Sequence, residues 1–194
     1  MHKPVDPRIN RTRQLLQDAL ISLAKEKNVH AISVKELAER ARINRATFYL
    51  HYIDIADFLK KSAEPIFRIL VPQLLPVQEF LKIENARKMM EDWLELIKNN
   101  AGFYTAMLGD NGMPELRGRL FDTGLDWYLK VLSEYSGKSE DHFKVKCMAS
   151  FIVSGQFGFI ECCLKDNFKE GIPEAAARMA GLTFGCIKLL DPKT

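Results

Sequence analysis

Along nearly the whole chain, apolar residues recur at spacings of three, four and seven, the period of an α-helix lying on a core. Ile9, Leu16, Ala19, Leu20 and Leu23 mark a first helix. It is predicted to start at Asp6-Pro7, a cap followed by a proline at the first helical position, and to close near Lys27–Asn28 with basic residues in its last turn. Ser33-Val34-Lys35-Glu36 is a capping box: the serine oxygen takes a backbone N–H three residues on, and the glutamate reaches back to the serine amide. Leu37, Ala38 and Ala41 form the buried stripe of the helix it opens. Asn44 caps a third helix, from Arg45 to about Tyr52, anchored by Phe48 and Tyr52. Asp54 caps a fourth, which Pro65 is expected to kink or interrupt. Four further helical stretches open at Glu84, Pro114, Ser139 and Pro173, with breakers at Pro72 and Pro76, Gly109 to Pro114, Gly137, and Gly171 to Pro173. No stretch alternates with the period of a strand, and no internal repeat is present. The chain is predicted to be all-α, with about nine helices.

Composition narrows the class. A chain of 194 residues buries roughly 70% of its unfolded surface, so its core needs no metal or disulfide staple. The 47% hydrophobic and 27% charged content is that of a soluble globular protein. No apolar run approaches the roughly 18 residues of a membrane span, and MHKPVDPRIN has no signal-peptide core, so the expected location is the cytoplasm, with no membrane partner. Cys147, Cys162, Cys163 and Cys186 form no C-x-x-C pair and have no histidine nearby in sequence. Reduced, mostly buried thiols are expected, and neither a metal nor another cofactor.

The net charge of +3 becomes informative once divided. Residues 1–61 hold twelve Lys and Arg against seven Asp and Glu, whereas the remainder is slightly acidic. A small basic module joined to a larger acidic one suggests that the first part meets a polyanion. Residues 33–52 give that suggestion a shape. Two helices joined by a short turn, the second short and polar on its outer side, make a helix-turn-helix, whose second helix enters the major groove while the first braces it. Arg45 suits a guanine edge or a phosphate, and Thr47, Tyr49 and His51 offer short polar reach. Ser33 and the N-terminus of its helix present N–H groups to a phosphate. Lys35, Arg42 and Lys60 add nonspecific attraction. The competing reading is two short helices that only close a three-helix bundle, with their charges in water.

The segment ISVKELAERARINRATFYLHYIDIADFL resembles the DNA-binding segment of the TetR family of bacterial transcriptional regulators, through Leu37, Ala38, Ala41, Ile43, Asn44, Thr47, Phe48, Tyr49, His51 and Leu59. The resemblance covers about residues 8–61. It implies an N-terminal three-helix DNA-binding domain, residues 1–53, and a larger helical ligand-binding and dimerisation domain, residues 54–194. It also implies that Arg45, Ala46 and Thr47, after Asn44, face the groove, that Tyr49 and His51 touch phosphate or groove, and that Phe48 is the core anchor. Two positions depart from the family pattern. Arg42 replaces the usual turn glycine, so the turn is either built without a positive φ or strains Arg42. Ile55 stands where a phosphate-binding lysine is usual.

The larger part resembles the family more loosely. NNAGFYTAMLGDNGMPELRGRL is similar to the middle of C-terminal domains common in Gram-positive members, and FIVSGQFGFIECCLKDNFKEGIPEAAARMA to the family's closing helix pair, with Cys163 where tryptophan is common. Spacing adds its own observation. Ser150, Ser154, Gly158 and Cys162 line one helix face with small residues, as do Ala177, Gly181 and Gly185 on the last helix. Such stripes let helices approach closely, either across a homodimer interface or within one chain. Met89, Trp93, Phe103, Tyr104 and Met107, with Phe121 and Trp127, are a rich supply of large apolar groups for the middle helices. They are read as ordinary core or, with Gln156 as a polar contact, as the wall of an effector pocket.

Motifs of catalysis are missing: no G-x-S-x-G, H-E-x-x-H, Walker loop or G-x-G-x-x-G occurs, and His2, His30, His51 and His142 are scattered. The expected protein is a dimeric, sequence-specific repressor released from a palindromic DNA operator by a small-molecule effector. The alternative is a helical ligand-binding and dimerisation protein whose DNA module is degenerate.

Overall fold

The computed structural model describes residues 7–70, 74–136 and 142–190; the cap expected at Asp6 and the breakers at Pro72 and Gly137 lie outside them. Ten α-helices follow one another: α1 Pro7–Ala24, α2 Val34–Ala41, α3 Arg45–Tyr49, α4 Ile55–Leu70, α5 Val77–Phe80, α6 Ile83–Asn99, α7 Ala101–Leu108, α8 Pro114–Ser136, α9 His142–Lys165 and α10 Ile172–Lys188. A 3-10 turn, Val29–Ala31, joins α1 to α2. No strand occurs among the described residues. The chain is all-α, as its periodicity predicts.

Local chemistry sets most boundaries. The capping box forms: Glu36 N–H donates to Ser33 Oγ (3.2 Å), and Ser33 N–H donates to Glu36 Oε2 (2.9 Å). Asn44 Oδ1 accepts Ala46 N–H (2.9 Å), and Asp54 Oδ1 accepts Asp57 N–H (2.8 Å). Three boundaries differ from expectation. α1 ends at Ala24 rather than near Lys27, because Glu26 and Lys27 N–H both turn back to Leu23 O and Asn28 caps the 3-10 turn instead. Pro65 lies inside α4, which runs through it to Leu70. α5 and α7 add two short helices; α7, AGFYTAML, is apolar nearly all round, so no amphipathic period announces it.

The chain divides into two compact units. The first comprises residues up to Phe67 together with Gly102–Arg117. Its core is built from Leu16, Leu20 and Leu23 of α1, Leu37 and Ala41 of α2, Phe48, and Phe58 and Leu59 of α4. Phe48 is fully buried, its ring centroid 5.3 Å from Tyr52 and 6.0 Å from Phe58, with Tyr52 and Phe58 5.0 Å apart. α7 approaches α1 at Gly102, where an added Cβ would lie 3.4 Å from the Ile21 side chain. The loop before α8 is tied to the end of α1: Val29 N–H donates to Asn111 O (2.8 Å) and Asn111 Nδ2 to Ala24 O (3.0 Å). Beside it His30 Nε2 meets Glu115 Oε1 at 2.9 Å.

The second unit comprises Arg68–Ala101 and the chain from Gly118. α6 packs along α10, and α9 along α10. Phe80 centres an aromatic cluster, 4.5 Å from Trp127, 5.8 Å from Tyr128 and 5.7 Å from Phe184. The Trp127 indole donates to Leu75 O (3.1 Å). α9 corrects one expectation, for it is long and apolar enough, by length and composition, to cross a membrane. Serines, glycines and Gln156 interrupt any continuous apolar run, yet they dilute the average little. Val145, Ala149, Ile152 and Val153 of this helix are nonetheless buried in the unit's own core.

Removing the Phe48 ring should therefore loosen the first unit. Phe48→Ala is expected to cost about 3–5 kcal/mol in chemical denaturation, with Tyr49→Ala near neutral by the same measurement.

Candidate nucleic-acid interface

α2 and α3 are separated by Arg42, Ile43 and Asn44. Arg42 takes the left-handed conformation, φ 55° and ψ 40°, so the turn keeps its positive φ and a non-glycine residue bears it. Ile43 N–H closes back on Ala38 O (3.0 Å) and Arg42 N–H on Glu39 O (3.1 Å), the bonding of a left-handed helix terminus. A side chain held there costs roughly 1–2 kcal/mol. Of the two possibilities the sequence left open, the turn is the strained one.

α3 has only five residues, but Leu50 N–H reaches Ala46 O (3.1 Å) and Tyr52 N–H reaches Phe48 O (3.0 Å), extending the helical bonding to Tyr52. With Phe48 and Tyr52 facing inward, Arg45, Ala46, Tyr49 and Leu50 are exposed and Thr47 and His51 half-buried. Lys35, Arg42, Arg45 and Lys60 are exposed, and none makes an ion pair with another described residue. From Arg40 to Ile53 there is no carboxylate. Lys61 is otherwise engaged, 2.8 Å from Asp57 Oδ2 and 5.5 Å from the Tyr52 ring centroid. Ile55 opens α4 and is half-buried.

Ser33 differs from the rest of the predicted set. Its amide and its hydroxyl both donate to Glu36 Oε2, at 2.9 and 2.7 Å, so the groups expected to meet a phosphate are held by the cap. Glu36 is also paired with Lys27. That contact first, and then the Ser33 amide and hydroxyl, lower its carboxyl from 4.5 to about 2. Arg40, the neighbouring cation, forks onto Glu26 at 2.9 and 3.1 Å and also donates to Ser22 Oγ. These two pairs tie α2 to the turn that follows α1, and the Ser22 contact ties it to α1 itself. Leu50, at the centre of the outward face, is missing from the sequence-predicted set; its position opposite Phe48 on a 100° helical wheel is the signal that would have found it.

The residues predicted to line a pocket are divided between the two compact units. Phe103, Tyr104 and Met107 belong to the first unit, while Met89, Trp93, Phe121, Trp127 and Gln156 belong to the second. Met89 and Trp127 are buried core, and Trp127 is spoken for by the aromatic cluster. Gln156 Nε2 donates to the Tyr128 phenol and to Thr183 Oγ1 (3.2 Å), linking α8, α9 and α10. Burial pushes the Tyr128 phenol well above its usual range. Gln156 also borders a shallow apolar cavity of about 180 Å³ between α9 and α10, with Phe151, Phe159, Met179 and Leu182. The Trp93 indole N–H is buried and has no hydrogen-bond partner among the described residues.

Of the small stripes, Ser154, Gly158, Cys162, Gly181 and Gly185 are exposed and Ser150 and Ala177 half-buried. A Cβ added at Gly158, Gly181 or Gly185 would meet nothing within 4 Å. Phe151 and Leu182 beside them are 67% and 62% exposed. The cysteines correct another expectation: Cys147 and Cys162 are exposed and Cys163 and Cys186 half-buried, because they sit on faces of α9 and α10 that the single chain leaves uncovered.

Comparison with known proteins agrees with this arrangement. Residues 16–61 match the family model of bacterial regulatory proteins of the tetR family, and residues 84–185 match that of a transcriptional regulator C-terminal region. An uncharacterized HTH-type transcriptional regulator of Bacillus subtilis (strain 168), YxbF, is 25% identical over 97 residues, 48% of this chain; the match spans a quarter of that relative's length. Among solved structures, the fatty acid degradation regulator FadR from Bacillus halodurans has a TM-score of 0.62 at 15% identity, covering 94% of this chain and 97% of that one. FadR from Bacillus subtilis, solved with stearoyl-CoA, has a TM-score of 0.55 at 15% identity, covering 93% and 98%. The dihydroxyacetone kinase operon activator DhaS has 0.53 at 15% identity, with the same coverage. These likenesses establish a shared fold.

Relieving the strained turn should stabilise the first unit. Arg42→Gly is expected to raise unfolding stability by about 1 kcal/mol, while the β-branched Arg42→Val lowers it; equal stabilities would mean that φ 55° is not strained. The Glu36 pair sets an acid limit. Because its folded carboxyl lies below the unfolded value, its contribution is complete above pH 4.5 and is lost as pH falls towards about 2. Glu36→Gln should lower stability at neutral pH and flatten the pH profile across that window.

Proposed function

The chain belongs to the TetR family of bacterial regulatory proteins, and on that premise we propose that it is a sequence-specific, DNA-binding transcriptional regulator. It works as a homodimer on a palindromic operator and leaves it when a small molecule binds. One observation carries the DNA half of this reading. A fourteen-residue stretch without a carboxylate, Arg40 to Ile53, spans the end of α2, the turn and α3, and turns Arg42, Arg45 and Tyr49 outward while Phe48 anchors α3.

We assign DNA recognition to residues 1–53, with α3 in the major groove and α2 bracing it. Arg45, Ala46 and Thr47 meet base edges, while Asn44, Tyr49 and His51 reach phosphate or groove wall. Lys35, Arg42 and Lys60 neutralise phosphates, and Ser33 contributes through the helix end it caps. Effector binding and dimerisation fall to residues 54–194. The exposed small stripes of α9 and α10, flanked by Phe151 and Leu182, suit close packing against the same face of a second copy, an isologous four-helix contact. A palindromic operator needs two recognition helices roughly 34–36 Å apart, one turn of the duplex, and only a dimer supplies two.

For the effector we infer a small apolar or amphipathic molecule. The wealth of Met and aromatic side chains supports it, as does the Trp93 indole N–H, a buried donor that a ligand oxygen would satisfy. Stearoyl-CoA, bound by the FadR of Bacillus subtilis, is a natural first compound to try. Coupling would run through α8, whose first turn lies in the same compact unit as the reading helices, near the Asn111 and His30–Glu115 contacts with the α1–α2 junction. A ligand favouring one placement of α8 and α4 would change the spacing of the two α3 helices. Release of a repressor is our reading of the output; DhaS, an activator by name, has the same fold.

Footprinting of the dimer on the DNA upstream of its own gene should show symmetric protection at moderate salt. Binding should weaken about a thousandfold between ~50 and ~200 mM salt if some six phosphates are neutralised. Arg45→Ala should relax base preference at one position per half-site by about 1–3 kcal/mol. A folded dimer by light scattering that protects nothing would point instead to a ligand-binding protein with a degenerate DNA module.

A further inference from the structure

Leu50 is 80% exposed, more than any other large apolar side chain among the described residues. Single exposed leucines are common on protein surfaces and need no explanation. Position is what distinguishes this one. Its backbone is still right-handed helical and its N–H bonds to Ala46 O (3.1 Å), so helical geometry holds to residue 50. Two residues beyond the buried Phe48 and two before the buried Tyr52, Leu50 lies on the side of α3 directly away from the core. Ala46, one turn back, shares that side, and Thr47 stands three residues away along the same surface. The outermost strip of the helix is therefore apolar, with Arg45 and Tyr49 exposed beside it.

A leucine offers no hydrogen-bond donor or acceptor, so it can neither hold a phosphate nor read a polar base edge. In the major groove of B-DNA the apolar feature is the 5-methyl group of thymine. Placed against an amino group of cytosine or adenine instead, Leu50 would strip water from a donor and leave it unpaired. The surrounding charge selects the partner: with no carboxylate from Arg40 to Ile53, and Arg42 and Arg45 exposed beside the strip, the surface fits a polyanion better than another protein.

We propose that Leu50, seated with Ala46, is a specificity-determining residue that packs on a thymine methyl, so that each operator half-site carries a thymine beneath the C-terminal end of α3. The inference rests on the reading of α3 as the groove-entering helix and adds to it the chemistry of one base. Because Leu50 is exposed, its truncation leaves the core untouched.

The test uses the full chain and a duplex selected by it from a random pool. Each thymine of a half-site is replaced in turn by uracil, which removes the methyl and leaves the hydrogen-bonding edge unchanged. At one position per half-site, uracil should weaken wild-type binding about fourfold, the value of one buried methyl-sized group. Leu50→Ala should bind the thymine duplex correspondingly less well and be indifferent to uracil at that same position. Wild-type binding that is indifferent to uracil at every position overturns the proposal and leaves the groove reading intact. So does a Leu50→Ala protein that keeps the full uracil effect. Failure to enrich any duplex overturns the groove reading and the proposal with it.

Discussion

A helix of five residues has no stability of its own, since nucleating its first turn costs more than its few hydrogen bonds return. α3 exists because Phe48 is held between Tyr52 and Phe58 in the core of the first unit. Everything said of its outward face follows from that one inward anchor. Fixing Phe48 fixes the rotation of the helix about its axis, and the rotation decides that Arg45, Ala46, Tyr49 and Leu50 look outward. The aromatic cluster is therefore a positioning device for the side chains of the outward face.

The turn before α3 belongs to the same constraint. To bring α3 round onto the core, the chain must leave α2 through a left-handed residue, and Arg42 occupies that place. Glycine would adopt it without strain, yet glycine would carry no charge. An exposed guanidinium at this point adds a cation beside α3 at a cost of about 1–2 kcal/mol in backbone strain. The ion pairs between α2 and the turn after α1, Lys27–Glu36 and Arg40–Glu26, bear on the same balance: they fasten α2 both at the end opposite the strained turn and beside it. They are exposed and individually modest, and they act as locators more than as stabilisers.

What was legible in the sequence was what depends on neighbours in the chain. The Ser33–Glu36 box, the Asn44 and Asp54 caps and the inward stripe of α2 are local patterns, and each forms as expected. α7 was hidden because it is apolar on nearly every side, and periodicity needs a polar face to contrast with. The clamp at Asn111 was hidden for a different reason. It joins residues 87 apart in sequence, and an N-G pair in a loop says only that the chain turns there. Gln156 shows the same limit from the other side: its type and phase suggested a ligand contact, but which buried hydroxyls lie within its reach is decided by how α8 and α10 pack.

The two units also differ in what their surfaces leave unfinished. In the first, the uncovered surface is basic and rigidly oriented, with one apolar strip at its centre. That combination suits a polyanion whose backbone is uniform and whose groove carries sparse methyl groups. In the second, glycines, serines and cysteines on α9 and α10 leave helix backbone open to solvent between Phe151 and Leu182. Such a surface has the small side chains and flanking apolar groups that suit close packing against another helix pair. Of the cysteines expected to be buried, Cys147 and Cys162 are exposed and Cys163 and Cys186 half-buried, all on these two helices. The two uncovered surfaces make separate demands on their partners, and the proposed symmetric dimer on a symmetric duplex would meet both at once: a pairing that covers α9 and α10 would also supply the second α3 that a palindrome requires.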